Sequence, residues 1–179
     1  MTEELETLRD VVQRLEKAEI DYMLTGSVAL NCYAQPRMTR DIDLVVAFQL
    51  EDVERITAIL GSGYYVSDTA AREACIAQTS FNAIHQETLT KIDFMIQKKD
   101  EFRVHEFMRR VRVRVEDFEL WVVSKEDLIL SKLHWSKDSL SERQFSDVEN
   151  LIATGCDVAY LEQWSVKLNL TDMLTRVLP

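Results

Sequence analysis

The sequence predicts an α+β protein in which a mixed, twisted sheet is followed by a C-terminal helical part. Two short segments, 39–46 and 91–96, alternate apolar and polar residues in the pattern of half-buried strands. Other segments, among them 3–18 and 50–60, repeat apolar residues at helical spacing. We therefore expect a core with the sheet over residues 1–123 and a helical region over residues 124–179 that packs on this core.

Composition limits the class of protein and its partners. The 179 residues are 46% hydrophobic and include only four glycines and two prolines, so a folded unit with a real core is expected. No stretch is apolar for long enough to cross a bilayer, and the acidic N-terminus does not resemble a signal peptide, so we expect a cytoplasmic protein without membrane contact. The net charge of −10 argues against broad nucleic-acid binding. The three cysteines have no paired spacing that would indicate a zinc site or disulfides.

The first elements lead to a small-residue turn. Residues 3–18 predict an amphipathic helix that packs on the sheet, and residues 21–25 predict a short strand that ends at Gly26 and Ser27. Residues 28–34 then have helical character. Gly26 would let the backbone approach a ligand closely, while Ser27 can cap the helix and offer donors to a phosphate.

The strand at residues 39–46 places two carboxylates on one face. Ile42, Leu44 and Val46 alternate with Asp41 and Asp43, and strand side chains point alternately to opposite faces. Neighbouring like charges are unfavourable unless a cation lies between them, and carboxylate ligands suit Mg²⁺ or Mn²⁺. An isolated pair of this kind would more often be the solvated face of an edge strand. The preceding turn favours a site for a metal ion and a nucleoside triphosphate.

The segments between residues 50 and 96 follow common helix, strand and turn patterns. An amphipathic helix ends at a glycine-rich turn, as helices commonly do. A short strand, a short helix and a hairpin of two alternating strands follow. These elements are expected at residues 50–60, 64–66, 69–78, 81–85 and 91–96.

The second hairpin strand carries a third candidate carboxylate. Asp93 lies on the face opposite Ile92, Phe94 and Ile96, as the two earlier aspartates do on their own strand. If the two strands are neighbours in the sheet, three carboxylates converge. The alternative is a solvated aspartate on an exposed hairpin.

An arginine cluster follows a helix predicted at residues 100–110. Residues 111–115 alternate strictly enough to predict a half-buried strand. Two interpretations of the arginines stay open. They either form a solvated face paired with Glu116 and Asp117, or they contact a triphosphate or the phosphates of an RNA acceptor. The cluster consists of Arg109, Arg110, Arg112 and Arg114.

A last strand and several helices complete the chain. Ser124 can cap the first of these helices, with Asp127 at the capping-box position. Lys132 lies among apolar neighbours in that helix, and Asp147 lies in the next one. By themselves they would be a snorkelling lysine and an ordinary surface aspartate. The strand is expected at residues 118–123, and the helices from residue 124, from about residue 141 and within residues 157–179.

The order of a Gly-Ser turn, a helix and a strand with Asp-x-Asp resembles the signature of the nucleotidyltransferase superfamily that includes DNA polymerase β. The strings LTGSVAL at residues 24–30 and RMTRDIDL at residues 37–44 resemble the AbiEii-like branch, which includes toxin-type nucleotidyltransferases of bacterial toxin–antitoxin and phage-defence systems. That branch also carries a Glu-Asp-Leu-(x)n-Lys-Leu segment and an Arg-x-x-x-Asp segment, matched here at residues 126–133 and 143–147. The resemblance implies the nucleotidyltransferase fold.

The resemblance also implies roles for individual residues. Asp41, Asp43 and Asp93 would bind the metal ions and act in catalysis. Lys132 and Asp147 would belong to the active site, with the lysine neutralising triphosphate charge and the aspartate holding the lysine in place. The nucleotide would be bound by Gly26, Ser27, Thr39, Arg40 and Lys132.

The implied reaction is transfer of a nucleoside monophosphate from an NTP to an acceptor hydroxyl, with Mg²⁺ or Mn²⁺ as cofactor. Toxin-type relatives suggest RNA as the acceptor, particularly the 3′ end of tRNA, and a cognate antitoxin or toxin protein as a partner. Other superfamily members modify proteins or small molecules such as aminoglycosides. A module that binds nucleotide without reacting, or acts as an antitoxin, is a further alternative, although the intact set of aspartates argues against degeneration.

Overall fold

The computed structural model describes residues 2–39, 41–139 and 142–178. Within these ranges the strands are β1 (Tyr22–Thr25), β2 (Asp41–Val46), β3 (Tyr64–Val66), β4 (Ser80–His85), β5 (Lys91–Ile96), β6 (Val111–Val115) and β7 (Phe118–Val122). They form one sheet in the order β3-β4-β5-β2-β1-β7-β6. The β2–β5 and β1–β7 pairs are parallel, and the other neighbours are antiparallel. The predicted α+β class with a mixed sheet is therefore confirmed.

Helices surround and follow the sheet. They are α1 (Glu3–Lys17), α2 (Gly26–Asn31), α3 (Val53–Leu60), α4 (Asp68–Ala77), α5 (Glu101–Met108), α6 (Lys125–Ser139), α7 (Glu142–Ala153), α8 (Val158–Leu168) and α9 (Thr171–Val177). The described part of the chain contains no helix whose length and apolarity would suffice to span a membrane.

The apolar faces of β2 and β5 lie at the centre of the core. Ile42, Leu44 and Phe94 are fully buried, and Leu44 pairs with Phe94 across the two strands. The ring of Phe94 also packs against Phe48 and Phe81, with centroids 6.1 and 5.1 Å apart. A slip of one residue would turn these side chains to the polar face, so their burial fixes the register of the aspartates as well.

Replacing Ile42 by alanine should lower the free energy of unfolding by about 2–5 kcal/mol, because a fully buried side chain leaves a cavity when it is shortened. The matched control is Ile76→Ala, since Ile76 on α4 is 68% exposed. Urea titrations should show strong destabilisation for the first variant and little for the second. Equal effects of the two changes would contradict the assignment of Ile42 to the core.

One local prediction is wrong. α2 begins at Gly26 rather than Val28, with Thr25 at the N-cap, so Ser27 lies in the first turn and does not cap the helix. The positive φ of Gly26, 67°, lets the chain pass from strand to helix without a linker. The strand predicted at residues 111–115 is confirmed as β6, an edge strand in which Val113 and Val115 pack partly buried against the core while Val111 is 38% exposed.

The first C-terminal helix starts as its sequence predicts. Ser124 Oγ accepts a hydrogen bond from the Asp127 N–H at 3.3 Å and donates one to the Asp127 carboxylate at 2.6 Å. From this start α6 packs against both α2 and α7. The C-terminal helices therefore bring Lys132 and Asp147 to the Gly-Ser turn.

Candidate active site

Three aspartates share one face of the sheet. Asp43 and Asp93 are paired residues of the neighbouring parallel strands β2 and β5, and Asp41 precedes Asp43 by two residues. The predicted adjacency of these strands is confirmed. Burial, together with the charges of Asp93 and Asp41, raises the pKa of Asp43 to about 6. Negative charge is therefore crowded at this point of the sheet.

Lys91 lies beside these carboxylates. Its Nζ is 2.7 Å from Asp93 Oδ2, and this hydrogen bond, followed by the charges of Asp41 and Asp43, raises the lysine pKa. Across the described ranges, no three Asp, Glu, His or Cys side chains form a ready-made metal cluster. A positive charge is nevertheless favourable where the aspartates meet, and their oxygens are the donors that Mg²⁺ and Mn²⁺ prefer. The residues thus fit a divalent cation.

Gly26 brings the main chain directly against Asp43. A Cβ at this position would lie 2.0 Å from Asp43 Oδ2 and 2.7 Å from Asp43 Cγ, much closer than atoms can approach. The positive φ of Gly26 also favours glycine over any residue with a side chain. The turn at Gly26 and the carboxylate of Asp43 therefore pack directly against each other, so the position of one constrains the position of the other.

A network of charged groups joins the C-terminal helices to this turn. Lys132 Nζ on α6 lies 2.7 Å from Asp147 Oδ2 on α7. Arg37 holds the same carboxylate with two hydrogen bonds, from Nε to Oδ1 and from Nη2 to Oδ2, both 2.9 Å long. Arg37 Nη2 also donates to Ser27 Oγ at 2.5 Å. Arg37 and Asp147 thus link Lys132 to Ser27, and Asp147 contacts the lysine that it was expected to hold in place.

Burial and hydrogen bonding together shift the pKa values of Lys132 and Asp147 in this network. Burial lowers the pKa of Lys132, and the hydrogen bond with Asp147 and the charge of Asp43 act in the opposite direction. Burial alone would raise the pKa of Asp147, but hydrogen bonds from Arg37 and Lys132 bring it below its ordinary value. Lys132 is therefore a desolvated cation within electrostatic reach of both Asp147 and Asp43.

Arg37 is a functional candidate that the sequence indicated only as a cation for an RNA acceptor, and not as part of this charged network. Its Nη1 is buried and has no hydrogen-bond partner among the described residues. A buried guanidinium N–H of this kind suits an anionic ligand such as a phosphate. The one signal in the sequence is its place at the start of the RMTRDIDL string, because its partner Asp147 lies 110 positions away.

The two remaining predicted nucleotide-binding residues precede β2. Thr39 Oγ1 donates a hydrogen bond of 3.5 Å to the backbone carbonyl oxygen of Asp41, and both residues line the large groove described below. Arg40 lies outside the described residues. Its predicted role therefore remains a prediction.

Two hollows meet the aspartates. A small cavity of about 190 Å³ is lined by Gly26, Ser27, Asp43 and Lys132 among others. A large groove of about 1090 Å³ is lined by Asp41 and by residues of α1, α2 and β6. Asp43 borders the small cavity, and Asp41 borders the large groove.

Most of the arginine cluster is paired with acidic side chains. This finding supports the interpretation of these arginines as a structural, solvated face, although their partners differ from the predicted ones. Arg114 lines the large groove, and its Nε donates a hydrogen bond of 3.4 Å to the carbonyl oxygen of Glu116, one of the two predicted partners. The pairs are Arg109 with Asp127 at 3.1 Å, Arg110 with Asp21 at 2.8 Å and Arg112 with Glu16 at 2.6 Å.

Solved structures with the same fold are nucleotidyltransferases. ANT(2″)-Ia in complex with adenylyl-2″-tobramycin has a TM-score of 0.64 and 13% identity, with 94% of this chain and 98% of that chain covered. The lincomycin-bound lincosamide adenylyltransferase LnuA has a TM-score of 0.58 and 16% identity, with 86% and 98% covered. A nucleotidyltransferase-like protein from Paracoccidioides brasiliensis has a TM-score of 0.59 and 15% identity, with 86% and 76% covered. At these identities the similarity shows the fold alone.

Sequence comparison gives the family. No functionally curated protein matches the chain. The family model described as "Nucleotidyl transferase AbiEii toxin, Type IV TA system" matches residues 10–169, which is most of the chain. The protein therefore belongs to the AbiEii nucleotidyltransferase toxin family of type IV toxin–antitoxin systems.

Proposed function

We propose that this nucleotidyltransferase moves a nucleoside monophosphate from an NTP to an acceptor hydroxyl in a reaction that requires Mg²⁺ or Mn²⁺. The observation that carries the proposal is the contact of Gly26 with Asp43 beside Asp93 and Asp41. In this reaction the acceptor oxygen bonds to the α-phosphorus, and the bond from that phosphorus to the bridging oxygen breaks. Pyrophosphate leaves with the bridging oxygen.

The carboxylates have distinct tasks in this proposal. A divalent cation held by Asp41, Asp43 and Asp93 would neutralise triphosphate charge and acidify the attacking hydroxyl. Asp93 would accept the proton of that hydroxyl, since a general base must lie at the reacting oxygen. Lys91, which pairs with Asp93, would hold this carboxylate in place until the substrates bind.

The phosphates would be bound by the turn and the charged network. Gly26 leaves room for the β- and γ-phosphates, and the Ser27 hydroxyl would donate to them. Arg37 Nη1 supplies an unpaired buried donor, and Lys132 supplies a desolvated positive charge. We also propose that residues 124–179 close over a core of residues 1–123, because Lys132 and Asp147 reach the site from the helical part.

RNA is the acceptor class that we propose, with the 3′ end of tRNA as the leading candidate, and a cognate antitoxin as a protein partner. A chain with a net charge of −10 needs a local cationic surface to hold RNA. The large groove provides one, since Arg37, Arg114 and Arg143 line it beside Asp41. Phosphates of an RNA end would contact Arg114 and Arg143 while its terminal hydroxyl reaches the aspartates.

Reversing the charge of groove arginines, in the variant Arg114→Glu with Arg143→Glu, should raise the KM for an RNA acceptor severalfold and leave the KM for the nucleotide nearly unchanged. Each lost phosphate contact should also reduce the slope of log affinity against log salt by about 0.7–0.9. Arg112→Glu is the matched control, because Arg112 pairs with Glu16 and does not line the groove. An RNA KM that is the same in both variants and insensitive to salt would contradict RNA binding in the groove.

A small-molecule acceptor is the second candidate. The large groove, at about 1090 Å³, is comparable with typical small-molecule sites of about 300–1000 Å³. Two structures of the same fold were solved with lincomycin and with adenylyl-2″-tobramycin. The size of the groove therefore leaves room for a compact hydroxyl-bearing acceptor.

Labelled NTPs distinguish these acceptors. The protein would be incubated with each α-labelled NTP, Mg²⁺ and a mixture of cellular RNA, protein and small molecules, and the labelled fraction identified. Label in RNA is the expected result, whereas label only in protein or small molecules would overturn the RNA assignment. Absence of label from every fraction, together with metal-dependent nucleotide binding, would favour the non-catalytic module.

A further inference from the structure

Trp135 on α6 is 62% exposed, although a side chain of this size and apolarity is usually largely buried. It lines the small cavity together with Gly26, Asp43 and Lys132. A residue that borders the cavity and also faces solvent lies at the cavity mouth. The exposed indole is therefore placed beside the proposed nucleotide rather than at an arbitrary surface position.

Helix geometry explains this placement. Leu128, Ser131, Lys132 and Trp135 all line the small cavity, and their spacing puts them on one face of α6. Lys132 and Trp135 are three residues apart and hence neighbours on the helix surface. The helix that offers a cation to the phosphates thus offers an aromatic ring less than one turn away.

The small cavity measures about 190 Å³, below the range of about 300–1000 Å³ typical of small-molecule sites. If Gly26, Ser27 and Lys132 hold the triphosphate, the nucleoside must extend beyond the cavity. We propose that Trp135 is the platform on which the base of the NTP stacks, an inference that rests on the proposed nucleotidyl transfer. Every base has a π-face, so such a platform holds each of the four NTPs.

The other tryptophans do not serve this role. Trp164 is buried in the core against Phe102, with ring centroids 5.4 Å apart. Trp121 on β7 lies beneath the guanidinium groups of Arg110 and Arg112, at 5.0 and 5.4 Å from its ring. Of the three tryptophans, Trp135 alone lines the small cavity.

Stacking is tested by comparing a ligand that has a base with one that lacks it. Binding of the four NTPs and of inorganic tripolyphosphate would be measured by calorimetry with Mg²⁺ in the parent, Trp135→Ala, Trp135→Phe and Trp121→Phe. Trp135→Ala should weaken NTP binding about tenfold or more, because base–aromatic stacking is worth about that factor. Tripolyphosphate affinity should not change, Trp135→Phe should retain most NTP affinity, and Trp121→Phe should match the parent.

Tryptophan fluorescence gives a second measurement on the same proteins. An NTP should quench the emission of the parent and of Trp121→Phe, and this quenching should be lost in Trp135→Phe. Equal weakening of NTP and tripolyphosphate by Trp135→Ala, or no weakening of either, would overturn the stacking platform alone. Failure of the parent to bind either ligand would instead overturn the proposed function on which the platform rests.

Discussion

Asp43→Asn should lower turnover by about 100- to 1000-fold or more while making the folded protein more stable. The activity falls because the change removes the central charge that would hold the cation at the reacting phosphate, and a single lost electrostatic group of this kind costs about that factor. Asparagine has the shape of aspartate, so the contact with Gly26 is preserved. Function and stability are thus expected to change in opposite directions.

The stability gain follows from the raised pKa of Asp43, about 6 compared with an ordinary value of about 4. Between these values the folded chain binds more protons than the unfolded chain, so stability falls as pH rises through this window. At pH 7 the ionised carboxylate costs about 1–3 kcal/mol, which asparagine removes. Below about pH 4 the parent and the variant should be equally stable in this respect.

Denaturant titrations in EDTA between pH 4 and pH 8 measure this difference directly. The difference in the free energy of unfolding between Asp43→Asn and the parent should increase as the pH rises. Mn²⁺ should reduce this difference, because it stabilises only the parent. Full turnover in the variant would contradict the catalytic role of Asp43. A variant that is less stable than the parent at pH 7 would contradict the crowding of the three carboxylates.

Gly26→Ala should abolish measurable transfer, with a loss of at least about 100-fold in kcat/KM. The new Cβ would lie 2.0 Å from Asp43 Oδ2, so either the carboxylate or the turn must move by more than an ångström. A displacement of that size in a catalytic group costs about this factor. The kcat and KM for NTP and for acceptor, measured together with the affinity for Mn²⁺, would show which of these steps the substitution impairs.

Gly155→Ala is the matched control for this change. Gly155 has a positive φ of 83°, and a Cβ there would meet no atom of the described part of the chain within 4 Å. In both variants an alanine at positive φ therefore lowers the stability of the folded protein by about 1–2 kcal/mol. Only in Gly26→Ala does the new methyl group also meet a carboxylate. Similar loss of activity in both would show that backbone strain, rather than contact with Asp43, accounts for the effect.

The sequence predicted what depends on local patterning. Strand alternation placed Asp41, Asp43 and Asp93 on the polar faces of two strands, and the buried partners Leu44 and Phe94 confirm the register. The cap at Ser124 was equally local, because it depends on contacts three residues apart. Such features are determined by residues that are neighbours in the sequence, so they can be predicted without knowledge of the tertiary structure.

Several features that depend on distant contacts were not predicted. Arg37 joins Ser27 to Asp147 only after α7 packs near α2, and nothing near Arg37 in the sequence signals that partner. The acidic partners of the arginine cluster come from other elements, as Glu16 on α1 does for Arg112. The start of α2 at Gly26 was not predicted, because the prediction used helix propensity. The positive φ of Gly26 goes with the close approach of Asp43 and not with helix propensity.

Metal-dependent transfer of a nucleoside monophosphate by this protein is tested most directly by the position of the transferred label. Parallel reactions with α-labelled and γ-labelled NTP, with Mg²⁺ or with EDTA, would be run for the parent and for Asp43→Asn. We expect the α-label in the acceptor and the γ-label in released pyrophosphate, only with Mg²⁺ and only in the parent. Transfer of the γ-label to the acceptor, or transfer of the α-label that persists in EDTA, would contradict the account.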